Sequence, residues 1–196
     1  MTKKLLLGAV AMASGLSLSG CMTMTDGTMG ASAGGTMMVG GAPMYANRNI
    51  IQNAVNSRDH TTLVAAVQAA GLADTLSGAG PFTVFAPTNA AFAKLPAGTV
   101  ETLLQPANRS MLQSVLTYHV VPGRLTAADL MARIRAGGGS AQLRTVQGGT
   151  LTARMMGGRV VLVDAMGGMS TVTQANVMQS NGVIHVTDTV SMPPRG

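Results

Sequence analysis

Pro81-Phe82-Thr83-Val84-Phe85-Ala86-Pro87-Thr88-Asn89-Ala90-Ala91-Phe92-Ala93-Lys94-Leu95 holds all three phenylalanines of a 196-residue chain that has two tyrosines and no tryptophan. Each aromatic ring can remove ~150–250 Å² from water, so scarce aromatics mark where a core is anchored. Phe82 to Phe85 are β-branched and aromatic, and read as a short buried strand. Pro87 cannot donate to a ladder and ends it. Thr88 or Asn89 can then accept from free amides and start a short helix through Ala90–Ala93. A strand turned by Pro-Thr-Asn into a helix brings Phe85 and Phe92 to one core. Phe85, Pro87, Thr88, Asn89 and Phe92 therefore read as a structural organiser and not as a reaction centre. Neither Thr88 nor Asn89 has a base or a metal ligand beside it in sequence.

Two later stretches complete a pattern: Tyr118-His119-Val120-Val121-Pro122-Gly123 and Asn181-Gly182-Val183-Ile184-His185-Val186-Thr187-Asp188. With Thr-Val-Phe-Ala-Pro-Thr-Asn-x-Ala-Phe before them, the ordered set resembles the signature boxes of the fasciclin (FAS1) domain, over about residues 49 to 194. The resemblance implies an α+β fold: an antiparallel β-rich wedge or sandwich with several short helices packed on one side. It marks His185 as a motif residue. Tyr118-His119 also resembles the segment that animal FAS1 domains are thought to use in integrin-mediated adhesion. The chain departs from the family pattern in places. Ala90 stands where an acidic residue is frequent, Ser191 stands where a leucine is common, and the Asp-Ile-type motif near the end of some adhesive members is absent.

The start of the chain reads as a leader. Lys3-Lys4 precede the apolar Leu5–Met12, a charged region followed by a short hydrophobic one. Leu18-Ser19-Gly20-Cys21 resembles a bacterial lipobox, which makes Cys21 the acylated first residue of the mature protein. It is the only cysteine, so no intrachain disulfide is expected despite an exported location. Met22 lacks the aspartate typical of inner-membrane retention, which favours an outer-membrane or periplasm-facing address. From Met22 to Ala46 the composition turns to Gly, Ser, Thr, Ala and Met, with no sustained period. Such a segment reads as a flexible tether. The expected organisation is residues 1–20 as signal peptide, 21–46 as acylated cysteine and tether, and 47–196 as a single FAS1 domain.

Helical spacing and capping residues follow in the first half. Asn49 precedes Ile50-Ile51, Thr61 or Thr62 precedes Leu63-Val64-Val67 with Gly71 as a stop, and Asn108 precedes Met111-Leu112-Val115-Leu116. Thr126-Ala127-Ala128-Asp129 reads as a capping-box variant. After Gly137-Gly138-Gly139 the period changes to two, giving strands near 143–146, 151–154, 159–163, 172–177 and 182–187. Helices first and strands afterwards read as α+β.

The inventory for chemistry is thin. The seven carboxylates have no pair at acid–base spacing, and no nucleophile elbow or His-Glu-x-x-His motif occurs. No enzymatic activity, cofactor or metal is expected. Without Lys3 and Lys4, 11 basic residues face 7 acids, leaving a charge near +4 that is nearly all arginine. That surplus suits anionic partners. An exported chain with no basic run and no stacking platform argues against nucleic acid. The expected function is a lipid-anchored envelope protein for cell adhesion or for contact with protein or acidic polysaccharide. Partner contacts are expected at Tyr118, His119 and Arg124, since alternation along an extended chain sends Tyr118 and His119 to opposite sides. The alternative is a periplasmic lipoprotein that binds a metal or small ligand through its methionine-rich tail or its histidines.

Overall fold

A computed structural model describes residues 36–194. The leader, Cys21 and the first part of the tether lie outside the described residues.

The chain opens with a hairpin of β1 (Met37–Val39) and β2 (Ala42–Met44). Gly40 and Gly41 both take positive φ, at 56° and 75°, as a two-residue hairpin turn demands. Val39 and Met44 are buried in the core, and Met37 packs against it. This corrects the tether boundary. Residues 37–44 belong to the domain, because a diglycine turn folds two short runs so that alternate apolar side chains reach the core.

The helices follow: α1 (Ile50–Ala54), a 3-10 turn (Arg58–His60), α2 (Thr61–Ala70) and α3 (Ala73–Ser77). Asn49 closes a reciprocal capping box with Gln52 at the start of α1. Gly71 ends α2 in the left-handed region at φ 70°, where a side chain would be strained. Then come β3 (Phe82–Pro87), α4 (Asn89–Ala93), α5 (Thr99–Leu104), α6 (Arg109–Tyr118) and β4 (Val120–Pro122). Asn108 does not cap α6 through its side chain; its amide donates to the Thr102 carbonyl instead. After α7 (Ala127–Ala136), capped by Thr126 and Asp129 as expected, the rest is strand. These strands are β5 (Ser140–Arg144), β6 (Thr150–Met156), β7 (Arg159–Val163), β8 (Met169–Gln179) and β9 (Gly182–Thr187).

Seven strands form one sheet in the order β4-β3-β9-β8-β7-β6-β5. Its two ends nearly meet, since the Val146 amide just past β5 donates to the Val120 carbonyl of β4 at 2.8 Å. The sheet is not wholly antiparallel, because β3 and β9 pair in parallel from Phe82–Gly182 to Pro87–Thr187. A parallel pair needs a long crossover, and the whole run of helices and meander between these strands supplies it.

Two cores flank the central strands. One lies under α1, α2, α5 and α6 and takes Val84 and Ala86 from β3 with Ile184 and Val186 from β9. The other lies between the β5–β8 meander and α7 and takes Phe85, Tyr118, Leu130, Leu143, Leu151 and Leu162. Alternation along β3 thus feeds both. Strand β8 serves both as well: Val172 packs in the meander core and Val177 in the helical core, with register shifts against β9 between them. Asn176, inside that irregular stretch, takes φ 61°.

Candidate functional site

The three sequence boxes become three neighbouring strands, β4, β3 and β9, together with the helix ends that enter them. Within the first box, Thr88 Oγ1 accepts from the Ala91 amide at 3.2 Å and caps α4. Asn89 serves a different helix. Its Oδ1 accepts from the Thr62 amide at 3.0 Å and its Nδ2 donates to the Arg58 carbonyl at 2.8 Å. It thereby satisfies an orphan amide at the start of α2, which has no side-chain cap of its own. Phe85 is fully buried and Phe92 nearly so. Pro87 ends β3 at the level of Thr187.

Tyr118 and His119 are not an exposed pair, and the expectation of partner contact at these residues is corrected here. Tyr118 is the last residue of α6 and His119 caps it, so the segment is helical where an extended chain was expected. Both are buried, at 0% and 3% exposure. The Tyr118 hydroxyl donates to the Thr150 carbonyl at 2.7 Å and accepts from the Ala165 amide at 3.1 Å, and burial raises its pKa. His119 Nε2 accepts from the Ser191 amide at 3.0 Å. Its Nδ1 therefore carries the proton and donates to the Val115 carbonyl at 2.8 Å. Burial pushes the His119 pKa below its ordinary value, against the opposing pull of that carbonyl and of Asp164. The ring is a neutral strut between α6 and the C-terminal segment.

His185 plays a similar part in β9. Its Nε2 donates to the Leu125 carbonyl at 2.7 Å, and its ring stacks on Phe85 at 5.6 Å between centroids. Burial lowers its pKa as well. His60 lies in the 3-10 turn, with Nδ1 2.8 Å from Ser57 Oγ and a buried Nε2 that makes no hydrogen bond. Burial lowers its pKa too, partly offset by the nearby Ala86 backbone and Asp59. The three histidines stand at different elements. Among the described residues, no group of three or more His, Cys, Asp and Glu side chains is placed to hold a metal.

Two residues that shape the site were missed in the sequence. Asn181 Oδ1 accepts from the Ile50 amide at 3.1 Å, while its Nδ2 donates to the Leu76 and Gly78 carbonyls at 2.8 and 2.9 Å. It ties α1 and α3 to the mouth of β9. Beside it, a Cβ at Gly182 would sit 2.1 Å from the Phe82 carbonyl oxygen, so only glycine permits the β3–β9 approach. The Asn-Gly dipeptide was the available signal, and it reads locally as no more than a turn. Asp164 is the other. Its carboxylate accepts from the Met166, Gly168 and Met192 amides at 2.9, 2.7 and 2.8 Å.

Arg124 is the one expected partner residue that reaches solvent. Its Nη2 donates to the Gln179 and Ser180 carbonyls at 3.2 and 3.3 Å. It borders a shallow cleft of about 300 Å³ with Gly80, Pro81, Ser180 and Asn181. The beginnings of the first and third boxes and the end of the second meet there. An apolar crevice between α1, α2 and β3 is only about 30 Å³, far below the ~150 Å³ of an apolar cavity that admits benzene. No helix among the described residues is long and apolar enough to cross a membrane.

Comparison with known proteins agrees with this architecture. The fasciclin domain family model matches residues 58–193. Protein sll1483 of Synechocystis sp. is 49% identical over 145 residues, covering 74% of this chain and 73% of that protein. Cell surface glycolipoprotein MPB83 of Mycobacterium bovis is 39% identical over 123 residues, covering 63% of this chain and 48% of that one. Among solved structures, the FAS1 domain pair of the insect cell adhesion molecule fasciclin I superposes with a TM-score of 0.65 at 20% identity, covering 73% of this chain and 50% of that chain. At that identity the likeness concerns the fold.

Proposed function

Because the chain belongs to the fasciclin domain family, we propose that it is a lipid-anchored envelope protein whose single FAS1 domain mediates adhesion or contact with protein or acidic polysaccharide, without catalysis. The observation that carries this reading is the engagement of the signature boxes. Both nitrogens of His119, the Tyr118 hydroxyl and His185 Nε2 are all tied to backbone groups inside the fold. Such groups hold a scaffold and offer no free base or nucleophile to a substrate. The exposed charge is mostly arginine, which suits carboxylate, sulfate or phosphate on a partner. Two similarities support a surface role: one relative is named a cell surface glycolipoprotein, and the shared fold occurs in a cell adhesion molecule. Leu18-Ser19-Gly20-Cys21 supports the anchor. Two or more acyl chains on Cys21 suffice for stable attachment, at ~0.8 kcal/mol per buried methylene.

Intact-mass analysis of the membrane fraction tests the anchor. A diacylated or triacylated Cys21 is expected, with Cys21→Ala released or left unprocessed; an unmodified Cys21 in the membrane contradicts it. Adhesion of envelope fragments and acidic polysaccharide to immobilised wild type and Arg124→Ala tests the contact surface. Loss of binding in a folded Arg124→Ala variant supports the cleft, and unchanged binding removes it.

A further inference from the structure

The meander has a second face on which the fold buries only Val161, the register partner of Arg154. In an antiparallel sheet, residues paired in register point to the same side. Arg144 pairs with Thr150, Arg154 with Val161, Met156 with Arg159, and Thr152 with Val163, which pairs with Met169. Arg144, Arg154, Arg159, Met156 and Met169 therefore share one face. The opposite face carries Leu143, Leu151 and Leu162, which are packed in the core with Leu130 and Ile134 of α7. On the open face all three arginines are exposed, and the methionines are 49% and 56% exposed. The ion pair found among the described residues is Lys94–Asp188, so none of these arginines has a carboxylate partner there.

The spacing decides what such a face can hold. With strands ~4.8 Å apart and ~3.4 Å per residue, Arg154 and Arg159 stand ~8 Å apart at Cα, and Arg144 stands ~14 Å from Arg154. Arg154 and Arg159 stand close enough to meet one anion while Arg144 stands apart, so the three together form an array along the face. An array of cations interleaved with exposed, unbranched apolar side chains matches a layer of anionic headgroups over acyl chains. A soluble polysaccharide has charge for the arginines but no apolar layer for the methionines. We infer that the outward face of the β5–β8 meander rests on an anionic phospholipid surface through Arg144, Arg154 and Arg159, with Met156 and Met169 entering the headgroup–acyl boundary. This goes beyond the anchor reading and stands without it, since the contact needs no acyl group on Cys21.

The test uses the exported chain with Cys21→Ala, so that no lipid on the protein contributes. Its co-sedimentation is measured with phosphatidylcholine vesicles and with phosphatidylcholine–phosphatidylglycerol vesicles. Binding to the anionic vesicles only, and its loss in high salt, are expected. Each Arg→Gln change on the face should weaken partitioning by on the order of fivefold, and the three together by on the order of a hundredfold. Arg133→Gln with Arg135→Gln on α7, across the sheet, should leave it unchanged. Because the chain has no tryptophan, Met169→Trp gives a second readout in an otherwise intact face. Its emission should shift to the blue with anionic vesicles and stay unshifted with neutral ones. Absence of binding to anionic vesicles, a triple arginine variant that binds as before, or an unshifted Met169→Trp overturns the inference. Arginine-dependent binding to dextran sulfate without binding to vesicles overturns it too, and would assign the face to a polysaccharide.

Discussion

β9 and β6 lie in one sheet and bury their residues in different ways. Every residue of β9 from Gly182 to Thr187 is buried, while β6 buries Leu151 and Ala153 and leaves Thr150 and Arg154 outside. The cause is coverage. Helices pack on one side of β9 and the meander core on the other, whereas β6 is covered on the α7 side alone. A strand covered twice must pack every side chain and satisfy every polar group, so small sequence changes there are costly. A strand covered once needs only its alternate positions. The signature boxes are the doubly covered part of this domain, and the cleft beside Arg124 lies where their ends meet.

The largest effect is expected where both cores meet. Phe85→Ala should lower unfolding free energy by ~3–5 kcal/mol in a denaturant titration, from lost burial and the cavity left against His185. A loss no greater than that of a meander residue would erase the contrast. Acid should come next, because three buried histidines act together. Burial places the folded pKa values of His60, His119 and His185 below the ordinary 6.5. The unfolded chain then binds protons that the folded one refuses. Stability should be full above about 6.5 and fall as pH drops below it toward those depressed values. The lowered pKa values of Asp129 and Asp188 add a further loss only below about 3.8. A flat melting temperature between the two ranges would contradict neutral, buried histidines.

Asn89→Ala should cost ~0.5–2 kcal/mol through the lost cap of α2, and hydrogen exchange should rise at Thr62 before Ala91. If Ala91 responds first, Asn89 serves its own helix and the assignment is wrong. The smallest effect belongs to the open face. Arg154→Gln should change unfolding free energy by less than ~0.5 kcal/mol, while vesicle binding by the same variant falls. A large stability loss there would mean that the face is covered.

Much of the fold was legible because its devices are local. The Asn49 and Thr126 caps, the Gly71 stop and the Phe85–Pro87–Thr88 turn are set by residues a few positions apart. The meander was legible because single-sided burial imposes a period of two. Long-range devices were not legible. The parallel β3–β9 pairing, the reach of Asn89 to α2 and that of Asn181 to α1 and α3 depend on which segments meet in space. Tyr118-His119 was misread as extended because α6 runs one residue into the box before the strand begins. The β1–β2 hairpin was hidden by a composition that looks like linker, since two glycines and a few methionines carry no strand propensity.

Denaturant unfolding of His119→Ala tests most directly whether the boxes build the fold instead of meeting a partner. Removing the ring leaves the buried Val115 carbonyl and Ser191 amide without their partner. The expected loss is ~1–3 kcal/mol for each group left unsatisfied, with vesicle and polysaccharide binding by the folded fraction unchanged. An unfolding curve that superposes on wild type, with binding abolished, would contradict it.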